Sequence, residues 1–242
     1  KTADLKPRPF GKGIYVVNHH HNTLTPYERR EGWKLLFDGK TSSGWMSFRK
    51  TAFPEKGWAI ADGMLHVLPS EGNEATNGGD IITKETFKAF DLSFEFRLTP
   101  GANSGVKYFV TLKEATEGSA IGLEYQVLDD VLHEDAKQGR SGNRTLASLY
   151  DLIKAEKPAA AIRPIGQWNI GRVVVHPDNT VEHYLNGIKV LHYKRGSKEF
   201  RDLVAVSKYK VWESFGEAAS GHILLQDHGN SVSFRSIKIR TL

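Results

Sequence analysis

Residues 122–130, GLEYQVLDD, place two polar side chains, Glu124 and Gln126, at alternate positions between apolar ones. Alternate residues of a β-strand share a face and lie about 7 Å apart, so both side chains could contact one small ligand. The carboxylate of Glu124 could act as a general base or as a ligand of a divalent cation. An ordinary strand with its polar face in solvent would show the same alternation, and these residues alone leave both interpretations open.

The second polar residue of this strand is an amide rather than a carboxylate. Glycoside hydrolysis by its usual route requires two Asp or Glu residues at a defined separation. Because Gln126 cannot serve as an acid, this strand does not support a two-carboxylate mechanism. Chemistry that needs one base is favoured instead.

A second polar pair occurs near the C-terminus, in the segment LLQDHG. Gln226 and His228 fall on one face of an extended segment, and Leu225 falls on the other. A neutral imidazole titrates near physiological pH, which makes His228 a candidate base or metal ligand. An exposed histidine at the end of a strand is the alternative. Asp227 is expected to cap the turn.

Two further side chains could line a binding cleft. Lys107 projects opposite Val106 and Tyr108 and could stabilise an anion, although most surface lysines have no such role. Tyr150, in the segment SLYDL, could close one side of a cleft, or it could simply be packed with its hydroxyl group hydrogen-bonded.

The loop of residues 128–145 is rich in groups that bind cations or hydroxyls. Asp129, Asp130, His133 and Asp135 could form a site for calcium or magnesium or a rim that binds hydroxyls. We expect Asp129 and His133 to contact substrate. Structural capping of the loop is the alternative, because the spacing matches no regular metal-binding loop.

Composition and charge argue against several functional classes. The 242 residues carry a formal net charge of +5 and contain no cysteine, which excludes disulfides, thiolate zinc sites and cysteine nucleophiles. Lysines and arginines are interspersed with acids, so we expect a solvated surface and no nucleic-acid partner. No run approaches the ~18 apolar residues of a membrane span.

Motifs of other enzyme classes are also missing from the sequence. It contains no glycine-rich phosphate loop, HExxH helix or GxSxG elbow, and we expect no organic cofactor. His19, His20 and His21 are adjacent in an irregular segment, where neighbouring side chains seldom converge on a metal. We interpret them as a surface tract.

The elements that must position these residues are predicted to be strands. Turn signals at Asp62–Gly63 and Asn186–Gly187 predict antiparallel hairpins. A change of face after Phe234 predicts a bulge near Arg235. Residues 198–209 are the only helical segment expected. Alternation predicts a core that includes Leu92, Phe94, Phe96, Val106, Tyr108, Tyr125, Val127, Leu225 and Phe234.

Tryptophans 58 and 168 are expected in this core as well, because both lie among apolar strand residues. The many short strands and turns indicate one all-β sandwich domain.

Seven motifs in series resemble the 3-keto-disaccharide hydrolase domain family, from about Trp33 to the C-terminus. They are GWKLLFDGKTSSGW, NSGV, EYQVLDD, SLYDL, GQWN, YLNG and LQDHGNSVSFRSIKI. The resemblance implies a concanavalin A-like jelly roll of two antiparallel sheets that binds carbohydrate on its concave sheet. It also implies a periplasmic or secreted bacterial protein. We therefore expect a domain over residues 32–242, preceded by an extension over residues 1–31 that packs on it.

On the concave sheet, the resemblance implies that Glu124, Gln126 and His228 converge, with Lys107, Tyr150 and Gln226 beside them. Many relatives place an arginine a few residues after NSG, and Lys107 could supply this positive charge.

The resulting hypothesis is cleavage of the glycosidic bond of a 3-keto sugar. The ketone acidifies the C2 hydrogen, so Glu124 or His228 could remove it as a base and the anomeric group could leave by elimination. Gln126, Lys107 or a divalent cation held by Glu124 and His228 would stabilise the enolate. The alternatives are a non-catalytic carbohydrate-binding module on the same fold and a purely structural sandwich. The sequence leaves the oligomeric state open.

Overall fold

The computed structural model describes residues 18, 20–113 and 119–242, and almost all of its regular structure is β. The strands of this described part are, in chain order, β1 Lys34–Leu35, β2 Trp45–Ser47, β3 Trp58–Ala61, β4 Met64–Val67, β5 Ile81–Thr83, β6 Phe90–Leu98, β7 Asn103–Val110, β8 Leu123–Leu128, β9 Asn169–Val175, β10 Thr180–Leu185, β11 Ile188–Lys194, β12 His222–Leu225 and β13 Val232–Thr241. The helices are α1 Pro26–Arg30 and α2 Lys198–Ala205, with short 3-10 turns at Glu134–Lys137, Ala159–Ala161 and Lys208–Val211.

The strands form two antiparallel sheets. The larger sheet has the order β11-β10-β9-β6-β13-β4-β3, with β1 also paired to β13, and the smaller sheet has the order β2-β5-β12-β7-β8. The apolar faces of both sheets contribute to one buried core, as the alternation predicts. All nine core residues predicted above are buried there. The predicted all-β jelly-roll sandwich is confirmed.

Both hairpin predictions are also confirmed. Asp62 and Gly63 have φ angles of 50° and 74° between β3 and β4, and Asn186 and Gly187 have φ angles of 50° and 84° between β10 and β11. Two consecutive positive φ angles characterise the type I′ turn, whose twist matches that of the strands it joins.

The predicted bulge lies in β13. Its register against β6 shifts between Arg235 and Lys238, and Ser236 has a φ angle of 50°. The shift moves the buried positions from Phe234 to Ile237, so both side chains reach the core. The predicted helix is α2, which is capped by the Ser197 hydroxyl and ends at Ala205.

The two tryptophans predicted for the core differ in position. Trp58 is buried and donates a hydrogen bond of 2.8 Å from its indole nitrogen to the carbonyl of Gly79. The prediction is wrong for Trp168, which is only half-buried and has the guanidinium groups of Arg235 and Arg97 at 3.7 and 4.9 Å from its ring. Stacking on arginines gives an indole apolar contact outside the core.

The segment before β1 contacts the larger sheet. The Asn22 side chain donates to the carbonyl of Gly63 and accepts from the backbone N–H of Ser236, both at 2.8 Å. Thr25 caps α1, and Glu28 pairs with Lys238 of β13. His19 and residues 1–17 lie outside the described residues, and the division at residue 31 stays a prediction.

His20 and His21 are exposed. None of the helices described is both long and apolar enough to cross a bilayer.

Candidate active site

The adjacent strands β7 and β8 carry the central groups of the candidate site. Their register pairs Lys107 with Glu124 and Gly105 with Gln126. These residues alternate with Tyr108, Tyr125 and other side chains that point into the core, so they lie on the opposite face of the smaller sheet. A cavity of about 340 Å³ opens on this face. Seven of the predicted residues line it: Lys107, Glu124, Gln126, Asp135, Tyr150, Gln226 and His228.

Glu124 is positioned by the absence of a side chain on the neighbouring strand. A Cβ atom placed on Gly105 would lie only 2.1 Å from Glu124 Oε1, so the carboxylate occupies the space above this glycine. The residue is 4% exposed, and its carboxylate accepts no hydrogen bond from the described residues. Burial raises the pKa of Glu124 to about 7, although Lys107 and Lys208 oppose this shift. Near neutral pH, the group can therefore accept a proton.

Lys107 is held by a buried polar network. Its ammonium group donates to Ser119 Oγ at 2.5 Å and to the carbonyl of Ala120 at 3.2 Å, and it lies 3.9 Å from Asp80 Oδ2. The Ser119 hydroxyl in turn donates to Asp80 Oδ2 at 2.6 Å. An ammonium group has three hydrogens, so the third is available either to Asp80 or to a group in the cavity.

Asp80 connects this network to the turn before His228. It is 0% exposed, and its Oδ1 accepts from the backbone N–H of Asp227 at 2.9 Å. Burial raises the pKa of Asp80 to about 6. Asp227 accepts from the N–H groups of Gly229 and Gly79, which confirms the predicted turn cap.

Four amide and imidazole side chains complete the polar part of the cavity. Gln126 Oε1 accepts from the N–H of Val127 at 3.1 Å, and Gln226 Nε2 donates to Glu74 Oε1 at 3.1 Å. Three of the residues that line the cavity carry a buried atom without a hydrogen-bond partner among the described residues: Asn103 Oδ1, Gln226 Oε1 and His228 Nδ1.

Tyr150 forms another wall together with Lys208. The Lys208 ammonium group lies 4.2 Å from the centre of the Tyr150 ring. The backbone N–H of Lys208 donates to Asp151 Oδ2 at 2.8 Å. Arg144 binds both Asp151 and Asp135, at 2.8 and 2.9 Å. Burial lowers the pKa of Lys208, and burial together with nearby carboxylates raises the pKa of Tyr150 above its usual value.

The structure does not bring Asp129 to the cavity. Its carboxylate accepts from the backbone N–H groups of Gly101, Val131 and Leu132, so it caps the turn after β8. The expected contact of Asp129 with substrate is therefore wrong, and the alternative, structural capping of the loop, is correct. His133 does not line the cavity either. Its Nδ1 accepts a hydrogen bond of 3.1 Å from the backbone N–H of Asp135. Its ring packs edge-on against His228, with centroids 5.7 Å apart.

The donor set does not fit the expected divalent cation. Within the described residues, no group of three or more His, Asp or Glu side chains is arranged to hold a metal ion. Glu124 instead pairs with Lys107 in the register of β7 and β8, and His228 lies 3.9 Å from the carboxylate of Glu74. The cation stays a prediction.

Sequence reasoning missed several cavity residues. Glu74 lies in a connecting segment without a periodic pattern, and Lys208 lies at the end of the predicted helical segment, in the 3-10 turn after α2. Asp80 is buried and does not line the cavity. A signal existed only for Asn103, which begins the NSGV motif and alternates with Gly105 and Lys107 on the cavity face.

Solved structures of two candidate glycosyl hydrolases from Parabacteroides distasonis resemble this chain. The first is 30% identical with a TM-score of 0.78, and the match covers 92% of this chain and 100% of that chain. The second is 26% identical with a TM-score of 0.65, covering 87% of this chain and 99% of that chain.

Sequence comparison gives the same relationship. A protein of Bacteroides thetaiotaomicron named 3-keto-disaccharide hydrolase is 38% identical over 233 residues, which cover 88% of this chain and 79% of that protein. A family model described as a 3-keto-alpha-glucoside-1,2-lyase-like domain matches residues 32–240. These matches confirm the resemblance carried by the seven motifs, and the chain belongs to the 3-keto-alpha-glucoside-1,2-lyase-like domain family.

Proposed function

We propose that this protein is a carbohydrate-active hydrolase that cleaves the glycosidic bond of 3-keto glycosides by elimination and addition of water. Family membership and the name of the Bacteroides relative support the substrate class. The observation that carries the mechanism is Glu124, a buried carboxylate without a hydrogen-bond partner among the described residues and with its pKa raised to about 7. Such a group is suited to general base catalysis near neutral pH.

The reaction begins at C2 of the sugar, beside the ketone. Glu124 takes the C2 proton, and the electrons of the C–H bond form an enolate with the negative charge on the C3 oxygen. The enolate then expels the anomeric oxygen, which leaves as an alcohol after it gains a proton. Water adds to C1 of the unsaturated ketone, C2 regains a proton, and the products are those of hydrolysis.

The developing negative charge on the C3 oxygen needs hydrogen-bond donors. Gln126 Oε1 accepts from the N–H of Val127, and the amide N–H groups of Gln126 have no hydrogen-bond partner in the described part of the chain. Lys107 retains one N–H beyond those given to Ser119 and Ala120. Both line the cavity beside Glu124, and preorganised donors of this kind are often worth about 10²-fold or more in rate.

The cavity contains more carboxylates than the sequence hypothesis assumed, since Glu74 and Asp135 also line it. Asp135 binds Arg144 at 2.9 Å, and Glu74 accepts from Gln226 at 3.1 Å. Among these three cavity carboxylates, only Glu124 lacks such a partner within the described residues, and burial raises its pKa to about 7. This difference favours a single-base mechanism over the two-carboxylate route.

Aglycone release provides the direct test. Wild type is expected to release phenol from phenyl 3-keto-glucoside and not from the unoxidised glucoside. The Glu124→Gln variant should be at least about 100-fold slower, which is the usual contribution of a general base. Equal rates on both glucosides would contradict the elimination mechanism. Binding of the 3-keto glucoside without release, unaffected by Glu124→Gln, would favour the carbohydrate-binding module.

Two expectations stand beside this proposal without support from the fold. A chelator should slow phenol release only if a divalent cation assists the reaction. A periplasmic or secreted location remains a proposal that rests on the family resemblance, and fractionation of the producing bacterium would test it.

A further inference from the structure

The geometry points to a sugar-binding subsite, made of Gln226, Asn103 and His228, that accepts hydrogen bonds from ring hydroxyls. Gln126, in the same cavity, offers the opposite polarity and binds the ketone oxygen. This inference rests on the proposed function, because it assigns the hydroxyls and the ketone of one substrate to different ends of the cavity.

The orientation of the Gln226 amide is fixed by a carboxylate. Its nitrogen donates to Glu74 Oε1 at 3.1 Å, and a flipped amide would place two oxygens against each other. Gln226 Oε1 is therefore the free atom. It is buried, lacks a partner among the described residues, and belongs to a side chain that lines the cavity and is 6% exposed.

Glu74 also favours one tautomer of His228. The imidazole Nε2 lies 3.9 Å from Glu74 Oε2, which favours the tautomer with its hydrogen on Nε2. Nδ1 is then a lone-pair acceptor, and it is buried without a partner in the described part of the chain. One carboxylate thus fixes Gln226 Oε1 as an acceptor through a hydrogen bond and favours His228 Nδ1 as an acceptor through its charge.

Asn103 adds a third unpaired group to the subsite. Its side chain is 2% exposed, lines the cavity, and leaves Oδ1 buried without a partner within the described ranges. Only one other such atom, Arg195 Nε, occurs in the described residues, and Arg195 does not line this cavity. Unpaired buried polar atoms are costly and rare, so three in one cavity indicate that a ligand completes their hydrogen bonds.

Gln126 provides the contrast within the same cavity. Its oxygen accepts from the N–H of Val127 at 3.1 Å, which leaves the amide N–H groups for a ligand. A ketone oxygen can only accept hydrogen bonds, whereas a hydroxyl can donate one. The ketone therefore fits beside Gln126 and Lys107, and a hydroxyl fits beside Gln226. This polarity permits only one orientation of the ring.

The test uses a ligand that cannot be cleaved, 3-keto-1,5-anhydroglucitol, which has no anomeric substituent. Its 4-deoxy-4-fluoro and 6-deoxy-6-fluoro analogues replace a hydroxyl with fluorine, which cannot donate a hydrogen bond. Calorimetry would give the Kd of each ligand for wild type. At least one analogue should bind about tenfold or more weakly, as expected when a buried acceptor loses its donor.

Two glutamine variants form a matched pair. Gln226→Ala should reduce the fluorine penalty to within about twofold and retain the preference for the ketone over unoxidised 1,5-anhydroglucitol. Gln126→Ala should retain the fluorine penalty and lose the preference for the ketone over unoxidised 1,5-anhydroglucitol. Glu74→Gln tests the orienting role without removing Gln226, and it should reduce the same fluorine penalty. Melting curves of each variant would establish that it is folded.

Several outcomes would overturn the subsite. These are equal binding of the hydroxyl and both fluoro ligands to wild type, a fluorine penalty unchanged in both Gln226→Ala and Glu74→Gln, or no binding of the 3-keto ligand. Phenol release from phenyl 3-keto-glucoside is measured separately. Release with equal binding of the analogues would reject only the subsite. Binding with the expected penalty but without release would reject only the catalytic function.

Discussion

At the scale of single residues, Glu124 determines how activity should depend on pH. It is a base only when ionised, and burial raises its pKa to about 7. The kcat/KM for phenyl 3-keto-glucoside should therefore rise with pH, with a midpoint near 7, and level off above it. A pH series from 5 to 9 checks this expectation. A rate that falls through neutral pH would instead indicate that the group acts as an acid.

The same burial should reduce the stability of the fold. Because the folded-state pKa exceeds the ordinary value of 4.5, the folded protein holds more protons than the unfolded one between pH 4.5 and about 7. Stability is therefore lost as pH rises through this window. Glu124→Gln removes the titration, so at pH 8 it should be more stable than wild type by about 1–3 kcal/mol.

Urea unfolding of both proteins at pH 4 and pH 8 measures this difference. The gain should be confined to the higher pH, since Glu124 is protonated in both states well below pH 4.5. An equal gain at both pH values would mean that packing, rather than ionisation, causes it.

Gly105 offers a steric test of the same carboxylate. In Gly105→Ala, the new methyl group would meet Glu124 Oε1 at 2.1 Å and displace it. Since small displacements of a catalytic group are costly, we expect kcat to fall about tenfold or more. Glu124 should then be less buried, and its pKa should move toward the ordinary value. The rate profile of the variant would reveal this shift, and an unchanged profile would contradict it.

At the scale of elements, the strand order β5-β12-β7-β8 places Asp80 and Glu124 on opposite sides of Lys107. The charge of Asp80 raises the pKa of Glu124, and the charge of Lys107 lowers it. Asp80→Asn should therefore move the midpoint of the rate profile below that of wild type, and Lys107→Met should move it above, each by about one unit or less. Shifts in the same direction would contradict this arrangement.

Strand-level inference from the sequence succeeded where a residue's face follows from alternation. Glu124 and Gln126 could be placed on the face opposite Tyr125, and the bulge near Arg235 could be located, because both depend on a period of two. The pairing of Lys107 with Glu124 could not be derived, since register depends on contacts between distant segments. The convergence of β12 with β7 came from the family resemblance.

At the scale of the whole molecule, the roles of residues in loops could not be predicted from the sequence. Glu74 reaches the cavity from an irregular segment, whereas Asp129, which has an equally suitable side chain, is used as a turn cap. Lys208 reaches it from the 3-10 turn that follows α2. A carboxylate in a loop can bind a ligand or the backbone, and only the surrounding chain decides which. The prediction for Trp168 was wrong for a related reason, because an arginine covers its ring outside the core.

The residues of the site belong to two kinds of segment, core-forming strands and a connecting segment. Lys107, Glu124 and Gln126 belong to strands whose opposite faces build the core, so their positions are inherited with the fold. Residues 208–212, which contribute part of the cavity lining, lie in the connection between α2 and β12. Duplicated genes can therefore diverge in this connection while their products keep one reaction. Leaving-group preference is then the property expected to differ first between paralogues.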